Sequence, residues 1–373
     1  MTDKRSRLSP EDIQQLLTDP SDSARADIAV KVAHEVEAKS LSVEEREIAN
    51  AILRGLVKDT AERVRKSLSE SLRYADELPR DIAIVLARDI ETVSLPILES
   101  SPVLSDDDLI EIIATGSQSK QIAIAGRPKI TNRISQAIVE TDNTQAVKTL
   151  ASNEGAQISD ATYETLIEHH GAANEVMEAL AYRDNLPITI SEKLITLVSG
   201  RLRDYLHEHA LNEGQTDQLI QDSRERATID LVDQAAHADN VLELSSQLEA
   251  NGRLTPSLIL RAIFTGDIRF FEASLSVLAH VPLEKAAALI HDTGSLGLKS
   301  LFERTGLPEI YLPAYRVALD VFREMQRDGV DEDRERFRAR MVERILTQYQ
   351  DIDTPDIEYL IKSLQNQGNS RAA

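Results

Sequence analysis

The chain has 373 residues, no Cys and a formal net charge of −21 at pH 7. The lack of Cys excludes disulfides and thiolate metal sites. The acidic balance argues against nucleic acid as a partner, because affinity for nucleic acids comes largely from basic groups that neutralise phosphates. No signal peptide follows Met1, and no apolar run approaches the roughly 18 residues that a membrane helix needs. We therefore expect a cytoplasmic protein without membrane insertion.

Residues 1–58 are predicted to form helices that cap one end of a repeat array. Within them, Ser42 and Glu45 have the spacing of a capping box, in which the hydroxyl and the carboxylate each bind a backbone N–H at a helix start. A stacked array needs such a cover, because its end unit would otherwise expose apolar surface.

Residues 59–200 contain an internal repeat. An apolar residue followed by Pro, Ser or Thr recurs every 26 to 30 residues, at Leu78, Leu104, Ile130, Ile158 and Ile188. A second apolar anchor lies six to eight residues before each of these, at Leu72, Leu98, Ile124, Leu150 and Leu180. The pattern predicts a short helix that ends near the upstream anchor, a tight turn and a second, capped helix. Because two such short helices cannot bury their apolar faces alone, we predict an all-α fold in which the units stack into a short-period helical-repeat solenoid.

The C-terminal part has a different composition. Thr189 and Glu192 have the spacing of another capping box. Residues 201–240 are predicted to form long connecting helices. Residues 241–365 are predicted to form a C-terminal helical domain, because they contain all six Phe and bulky rings fill the core of a bundle well. Thr255 before Pro256 is a typical helix start.

The last predicted helices, 333–364, bear on oligomeric state. They carry apolar side chains that pack either inside the domain or across a homodimer, namely Phe337, Met341, Ile345 and Tyr349. A symmetric homodimer is therefore one possible assembly. The sequence does not separate the two arrangements.

Motifs for catalysis and cofactor binding are missing from the sequence. It contains no GxxxxGK[ST], GxGxxG, HExxH or GxSxG pattern. Neither His169 with His170 nor His207 with His209 has the i, i+4 spacing that places two ligands on one helix face. The acidic run 106–108 is expected to stabilise a helix N-terminus rather than to hold a metal. We therefore predict no catalytic, metal-binding or cofactor-binding residues, and no cofactor.

The repeat itself suggests a first set of partner-binding residues. Three positions after each upstream anchor, it places a turn residue at one edge of the array: Ala75, Ser101, Arg127, Asn153 and Arg183. We predict contact with a protein partner at the last three. The alternative is that these residues serve the helix ends, whose carbonyl groups need hydrogen-bond donors.

An arginine stripe near the C-terminus is the second candidate. Arg336, Arg340 and Arg344 follow one another at i+4 steps. Such a stripe can dock an acidic or phosphorylated partner. The alternative is a solvated helix face with local ion pairs.

Two functions from different classes follow from this reading. The preferred hypothesis is a non-enzymatic protein-interaction scaffold or regulatory adaptor that uses the surface of the helical repeat. The alternative is a ligand-sensing or enzymatic module with a pocket where the solenoid meets the C-terminal domain. Polar residues for that pocket are Arg261, Asp267, Arg269 and Asp292, which are otherwise expected to be surface and cap residues.

Five segments resemble a bacterial family of unknown function with HEAT-like helical repeats, found chiefly in alphaproteobacteria. They are LESSPVLSDDDLIEII (98–113), QIAIAGRPKIT (121–131), LASNEGAQIS (150–159), LTPSLILRAIFTGDIRFFE (254–272) and LIHDTGSLGLKSLFERTGLP (289–308). The resemblance implies a HEAT-like solenoid and a bacterial cytoplasm. It supplies no activity, and no functional residue can be transferred from it.

Overall fold

The computed structural model describes residues 21–37, 41–184, 186–209, 213–237, 240–292 and 295–328, together with 336, 337, 339–341, 343 and 344. Within these ranges the regular structure is helical, apart from one isolated parallel bridge between Ile130 and Ala156. The prediction of an all-α chain is confirmed. The chain separates into two compact units, residues 1–186 and 187–373.

The first unit is built from short helices. Those described are α1 (Asp22–Glu37), α2 (Val43–Leu56), α3 (Glu62–Leu72), α4 (Arg80–Ala87), α5 (Glu91–Ser100), α6 (Asp106–Thr115), α7 (Gln118–Ala125), α8 (Asn132–Val139), α9 (Thr144–Ala151), α10 (Asp160–His170) and α11 (Asn174–Ala181). Helices α3, α5, α7, α9 and α11 end at or just after the upstream anchors named above. All five anchors are fully buried.

These helices pack in two rows. In the first row, α1, α3, α5, α7, α9 and α11 each contact the next member. In the second row, α6 contacts α8 and α8 contacts α10, while an ion pair of 2.7 Å between Arg80 and Asp108 joins α4 to α6. Within each row, the helices that contact one another thus lie one unit apart in the sequence.

Helix starts in this unit follow the predicted chemistry. Ser42 and Glu45 form a complete capping box at α2, and Ser105 forms one with Asp108 at α6. The Ser159 hydroxyl accepts a hydrogen bond from the Thr162 N–H at α10. Each of these side chains satisfies backbone N–H groups that have no partner inside the helix.

The second unit begins with two helices of 22 and 25 residues, and shorter helices follow them. Those described are α12 (Ile188–His209), α13 (Glu213–His237), α14 (Val241–Ala250), α15 (Pro256–Thr265), α16 (Ile268–Ala279), α17 (Leu283–His291), α18 (Ser295–Glu303), a 3-10 helix (Glu309–Tyr311) and α19 (Leu312–Arg327). Thr255 caps α15 as predicted. Thr189 does not cap α12: this helix begins at Ile188, and the Pro187 carbonyl accepts its first hydrogen bonds.

The core of the second unit is aromatic at its centre. Phe271 and Phe302 pack against the Tyr315 ring at centroid distances of 5.0 and 5.8 Å, and the Tyr315 hydroxyl donates to the Pro256 carbonyl. Phe337 and Met341 are buried in the same cluster, so these two side chains of the proposed dimer segment pack internally. Ile345 and Tyr349 lie outside the described residues, and a homodimer stays a prediction.

None of the described helices is by itself long and apolar enough to cross a membrane. Two consecutive helices, α16 and α17, reach the required length and composition only together, and the chain bends by 116° between them.

Candidate interaction surfaces

The first row contains a series of hydrogen bonds from side chains to helix-end carbonyls, which we call the carbonyl ladder. Its donors are three predicted partner-contact residues, Arg127, Asn153 and Arg183. The buried Arg127 guanidinium donates to the Leu98 and Ser101 carbonyls at 2.5 and 2.6 Å. The Asn153 amide donates to the Ala125 and Arg127 carbonyls at 2.9 and 2.7 Å. Each side chain therefore reaches the C-terminal end of the first-row helix one unit earlier.

Arg183 continues this carbonyl ladder by one step. Its guanidinium donates to the Asn153 and Ala156 carbonyls at 2.7 and 2.6 Å, and at 3.3 Å to Ala151, the last residue of α9. The last carbonyls of a helix have no partner within it, and a cation there also meets the negative end of the helix dipole. The structure thus gives Arg127, Asn153 and Arg183 a role within the array. Partner contact at these positions stays a prediction.

The turns between the rows approach each other closely at Gly155. The Ile130 N–H donates to the Gly155 carbonyl, and the Gln157 N–H donates to the Ile130 carbonyl at 2.9 Å. A Cβ atom on Gly155 would lie only 2.0 Å from the Pro128 carbonyl oxygen. The two neighbouring turns can therefore pair only because residue 155 has no side chain.

The acidic run at the start of α6 serves the helix N-terminus, in line with the sequence expectation. Asp108 accepts hydrogen bonds from the Ser105 N–H and hydroxyl and from the Arg80 guanidinium. The Arg80 hydrogen bond is the main cause that lowers the pKa of Asp108 to about 2, and the bonds from Ser105 add to it. Asp106 accepts from the Thr131 hydroxyl, and Asp107 pairs with Arg133. These carboxylates connect α6 to the neighbouring units.

A shallow groove of about 420 Å³ lies on the second row. It is open to solvent, and most of its surface is apolar. Helices α6 and α8 and the start of α10 supply its lining, which consists of Ile110, Asn132, Arg133, Gln136, Ala137, Glu140, Ser159 and Thr162. We refer to these eight residues as the α8 groove.

Polar side chains along the α8 groove satisfy one another. The Thr162 hydroxyl donates to the Gln136 amide oxygen at 2.8 Å, and the Gln136 amide donates to Glu140 at 2.7 Å. The side chains of Ile110 and Ala137 remain partly exposed between these groups. The α8 groove therefore presents apolar side chains beside hydrogen-bonding groups that hold one another in place.

The C-terminal arginine stripe makes contacts within the second unit. Arg340 pairs with Asp328 at 2.7 Å, and Arg344 pairs with Glu324 at 2.8 Å. The Arg336 side chain is exposed. These two pairs join residues 12 and 20 positions apart, so they connect the stripe to the end of α19 and are not the local pairs of the alternative interpretation. Docking of an acidic partner to this stripe stays a prediction.

The four residues predicted for a junction pocket have separate partners in the second unit. Arg261 pairs with Glu225 at 2.5 Å, and Arg269 donates to the Ala236 carbonyl at 3.0 Å. Asp267 accepts a hydrogen bond from the Thr265 hydroxyl, and the Asp292 carbonyl accepts one from Arg323. Two of them, Arg261 and Arg269, thus reach α13 at different points along its length. A ligand site at these residues stays a prediction.

A buried charge cluster in the second unit was missed in the sequence analysis. Glu192 on α12 has no exposed surface, and it accepts hydrogen bonds from Gln247, Asn251 and Arg253. Arg253 also donates to the Thr228 hydroxyl at 2.8 Å, and burial lowers the pKa of Arg253. The cluster ties α12 and α13 to the end of α14, and removal of one charge from such a pair typically costs about 3–5 kcal/mol. The sequence indicated Glu192 only as a capping residue.

Across the described ranges, no group of three or more His, Asp or Glu side chains is arranged to hold a metal ion. The His170 ring nitrogen lies 3.0 Å from the Val139 carbonyl oxygen, so this ring connects the end of α10 to the end of α8. His207 lies 2.9 Å from an Asp217 carboxylate oxygen.

The model of one protein family matches residues 93–354, which is more than two thirds of the chain. The family is described as an uncharacterised protein conserved in bacteria (DUF2336). No curated protein matches the chain, and no solved structure does. The matched range includes the α8 groove and every described helix of the second unit.

Proposed function

The chain belongs to the bacterial DUF2336 family, and from that premise we propose that it is a non-enzymatic protein-interaction scaffold that binds a partner segment in the α8 groove. The single observation that carries this proposal is the groove itself: an open, mainly apolar surface formed by consecutive members of the second row. Stacked helical repeats commonly bind partners along such a continuous surface.

The shape of the α8 groove favours a protein segment over a small molecule. Pockets for small ligands enclose most of the ligand surface, whereas this groove is open to solvent. A peptide or helix that lies along α8 can contact Ile110 and Ala137 together and also reach Glu140 at the far end of the helix.

The finer features implied by the family resemblance belong to the same proposal. We propose that the paired short helices of the first unit are HEAT-like repeats and that the protein acts in the cytoplasm, in a family found chiefly in alphaproteobacteria. The two-row packing of α3 to α11 supports the first point. Cell fractionation would test the second, since recovery of the protein with the periplasm or the membranes would contradict it.

Photocrosslinking tests the proposed function. Ala137→benzoylphenylalanine places a photoreactive ring in the α8 groove, and Glu99→benzoylphenylalanine places the same ring on an exposed position of α5 in the first row. After irradiation in lysate of the bacterium that encodes the protein, we expect a discrete crosslinked protein from position 137 and none from position 99.

The comparison between the two positions decides the outcome. Equal crosslinking at both positions, or none at position 137, would overturn the scaffold function at this groove. The far-ultraviolet circular dichroism of both variants should match that of the unmodified protein, which shows that the fold is retained.

A further inference from the structure

Helix α2 precedes α4 in the second row, and two ion pairs mark the side of α2 that faces it. Arg46 pairs with Glu77 at 2.5 Å, shortly before α4 begins. Arg54 pairs with Asp81 of α4 at 2.8 Å. At about 100° per residue, the two arginines lie only about 80° apart around the helix, so together they define the direction of α4.

On its opposite side, α2 presents an exposed apolar face. Ile48, Ile52 and Gly55 follow one another at spacings of four and three residues, which places them on one face of the helix. This face lies about 140–160° around the helix from the midpoint between Arg46 and Arg54. Ile48 is 62% exposed and Ile52 is partly exposed, and a Cβ atom on Gly55 would meet no atom within 4 Å. We call these three residues the α2 end face.

The segment 9–17, which we call the N-segment, has the sequence pattern of a second-row helix. It lies outside the described residues, but its sequence SPEDIQQLL aligns without a gap with SDDDLIEII (105–113), which forms the start of α6. Ser9 and Asp12 match the Ser and Asp that form the α6 capping box. The apolar residues of the N-segment fall at positions that are buried in α6: Ile13, Leu16 and Leu17.

The order of helices along the chain also assigns the N-segment to the second row. Helices of the two rows alternate, and α1, which follows the N-segment, contacts α3 in the first row. Residues 18–21 separate the N-segment from α1, and a connector of the same length, residues 140–143, separates α8 from α9. A second-row helix that ends at Leu17 would therefore reach α1 through a connector length that the array already uses.

We propose that the N-segment binds the α2 end face and forms the member of the second row that precedes α2. A stacked array needs such a cover, because its end would otherwise expose apolar surface. The N-segment has the advantage over a second copy of this chain that a four-residue connector holds it near α2 at a high effective concentration. This contact within one chain is separate from the α8 groove, whose lining contains no residue of α2.

The register of α4 and α6 indicates which residues should meet. Arg88, directly after α4, pairs with Glu111 of α6 at 2.7 Å. When α4 is aligned with the N-segment and α6 with α2 at their first helical residues, Thr18 takes the place of Arg88 and Ile48 takes that of Glu111. We therefore expect Thr18 to lie beside Ile48.

Thiol crosslinking of the full-length protein tests this contact. The chain has no Cys, so introduced thiols react without background. In the pair Thr18→Cys, Ile48→Cys, we expect a short bismaleimide to join the two thiols within one chain, as detected by mass spectrometry of the digested protein. The control pair is Thr18→Cys, Val43→Cys, because Val43 is 74% exposed on the same helix but on the side of α4. The control should react at least about tenfold more slowly.

Two variants within the N-segment ask whether its apolar side chains hold it in place. Leu16→Glu puts a charge at a position that is buried in α6, and it should lower crosslinking between positions 18 and 48 to the level of the control pair. Gln15→Glu adds the same charge at the position of the exposed Glu111, and it should leave crosslinking unchanged.

Three results would overturn the proposal. The first is equal crosslinking of position 18 to positions 48 and 43, and the second is crosslinking that Leu16→Glu and Gln15→Glu leave equally intact. The third is a crosslink between two chains, because the occupant of the α2 end face would then be a second copy. The comparison of positions 48 and 43 changes no apolar residue of the N-segment, so it stays valid if Leu16→Glu lowers stability.

Discussion

At Asp108 several contacts meet on one carboxylate. Arg80 binds it with two nitrogen atoms at 2.7 and 2.9 Å, and Ser105 adds its N–H at 3.0 Å and its hydroxyl at 2.7 Å. All of these groups favour the ionised carboxylate over the protonated form, which is why the pKa of Asp108 falls to about 2. The Asp108 side chain is only 9% exposed, whereas the Arg80 side chain is 57% exposed, so solvent screens part of their attraction. A single residue thus connects α4 to α6 and also caps α6.

The pKa of Asp108 makes the stability of the first unit depend on pH. Because the folded value, about 2, lies below the ordinary 3.8, the stabilisation is fully present above pH 4 and is lost as the pH falls toward 2. Asp108→Asn should lower the free energy of unfolding by about 2 kcal/mol at pH 7, and by progressively less below pH 4. Urea unfolding, followed by circular dichroism at a series of pH values, measures this difference.

A neighbouring carboxylate supplies the control. Asp107 forms one exposed ion pair, with Arg133, so Asp107→Asn should change the free energy of unfolding at pH 7 by no more than about 0.5 kcal/mol. An Asp108→Asn deficit that stays constant from pH 7 to pH 2 would contradict the assigned cause.

At the scale of helices, the carbonyl ladder replaces a cap that the first-row helices lack in their own sequence. Helices α5, α7 and α9 end without a left-handed glycine, a common way to satisfy terminal carbonyls. Arg127, Asn153 and Arg183 supply donors from the following unit instead. The end of each helix is therefore completed by the next unit along the chain, which couples the two energetically.

Arg127→Ala tests this coupling. It removes the donors to Leu98 and Ser101 and leaves a cavity at a buried position, so the free energy of unfolding should fall by about 2–4 kcal/mol. Arg133→Ala removes an arginine of the same unit whose ion pair is exposed and should cost no more than about 0.5 kcal/mol. Chemical denaturation measures the free energy of unfolding of both variants. Similar losses in the two would show that the carbonyl ladder does not contribute to stability.

Much of this element-level organisation is predictable from local patterns. The anchors predict where the first-row helices α3, α5, α7, α9 and α11 end. Ser or Thr at the helix start predicts the caps of α2, α6 and α15, because these signals act over a few residues. The ladder side chains were found by position but assigned to partner contact, since a residue that follows a helix end can serve either role. The α8 groove was not predicted. Ile110 has the spacing of a core residue, and only the packing of its neighbours shows that it stays partly exposed.

The whole molecule consists of two units with separate cores. The hydrophobic cluster of the second unit draws its buried members from residues 231–341, and the hydrogen bonds of the carbonyl ladder stay within residues 98–183. Because each unit buries its own apolar side chains, each has the main requirement for independent folding.

Separate expression tests this division. Chains of residues 1–186 and 187–373 should each be helical and unfold cooperatively, and the sum of their circular dichroism spectra should reproduce that of the full chain. Aggregation or loss of helicity in one half, restored only when the other half is added, would show that the two units need each other to fold.

The carbonyl ladder has a consequence for how the first unit assembles. Its hydrogen bonds reach between 26 and 32 positions back along the chain and no further, so each contact can form once two successive helix pairs exist. Folding can then nucleate at any internal pair and spread in both directions, without a search for distant segments. Under a pulling force or from a frayed terminus, the first unit would unfold one helix pair at a time. A partner bound across α6, α8 and α10 would hold these helices together and stop the unfolding there.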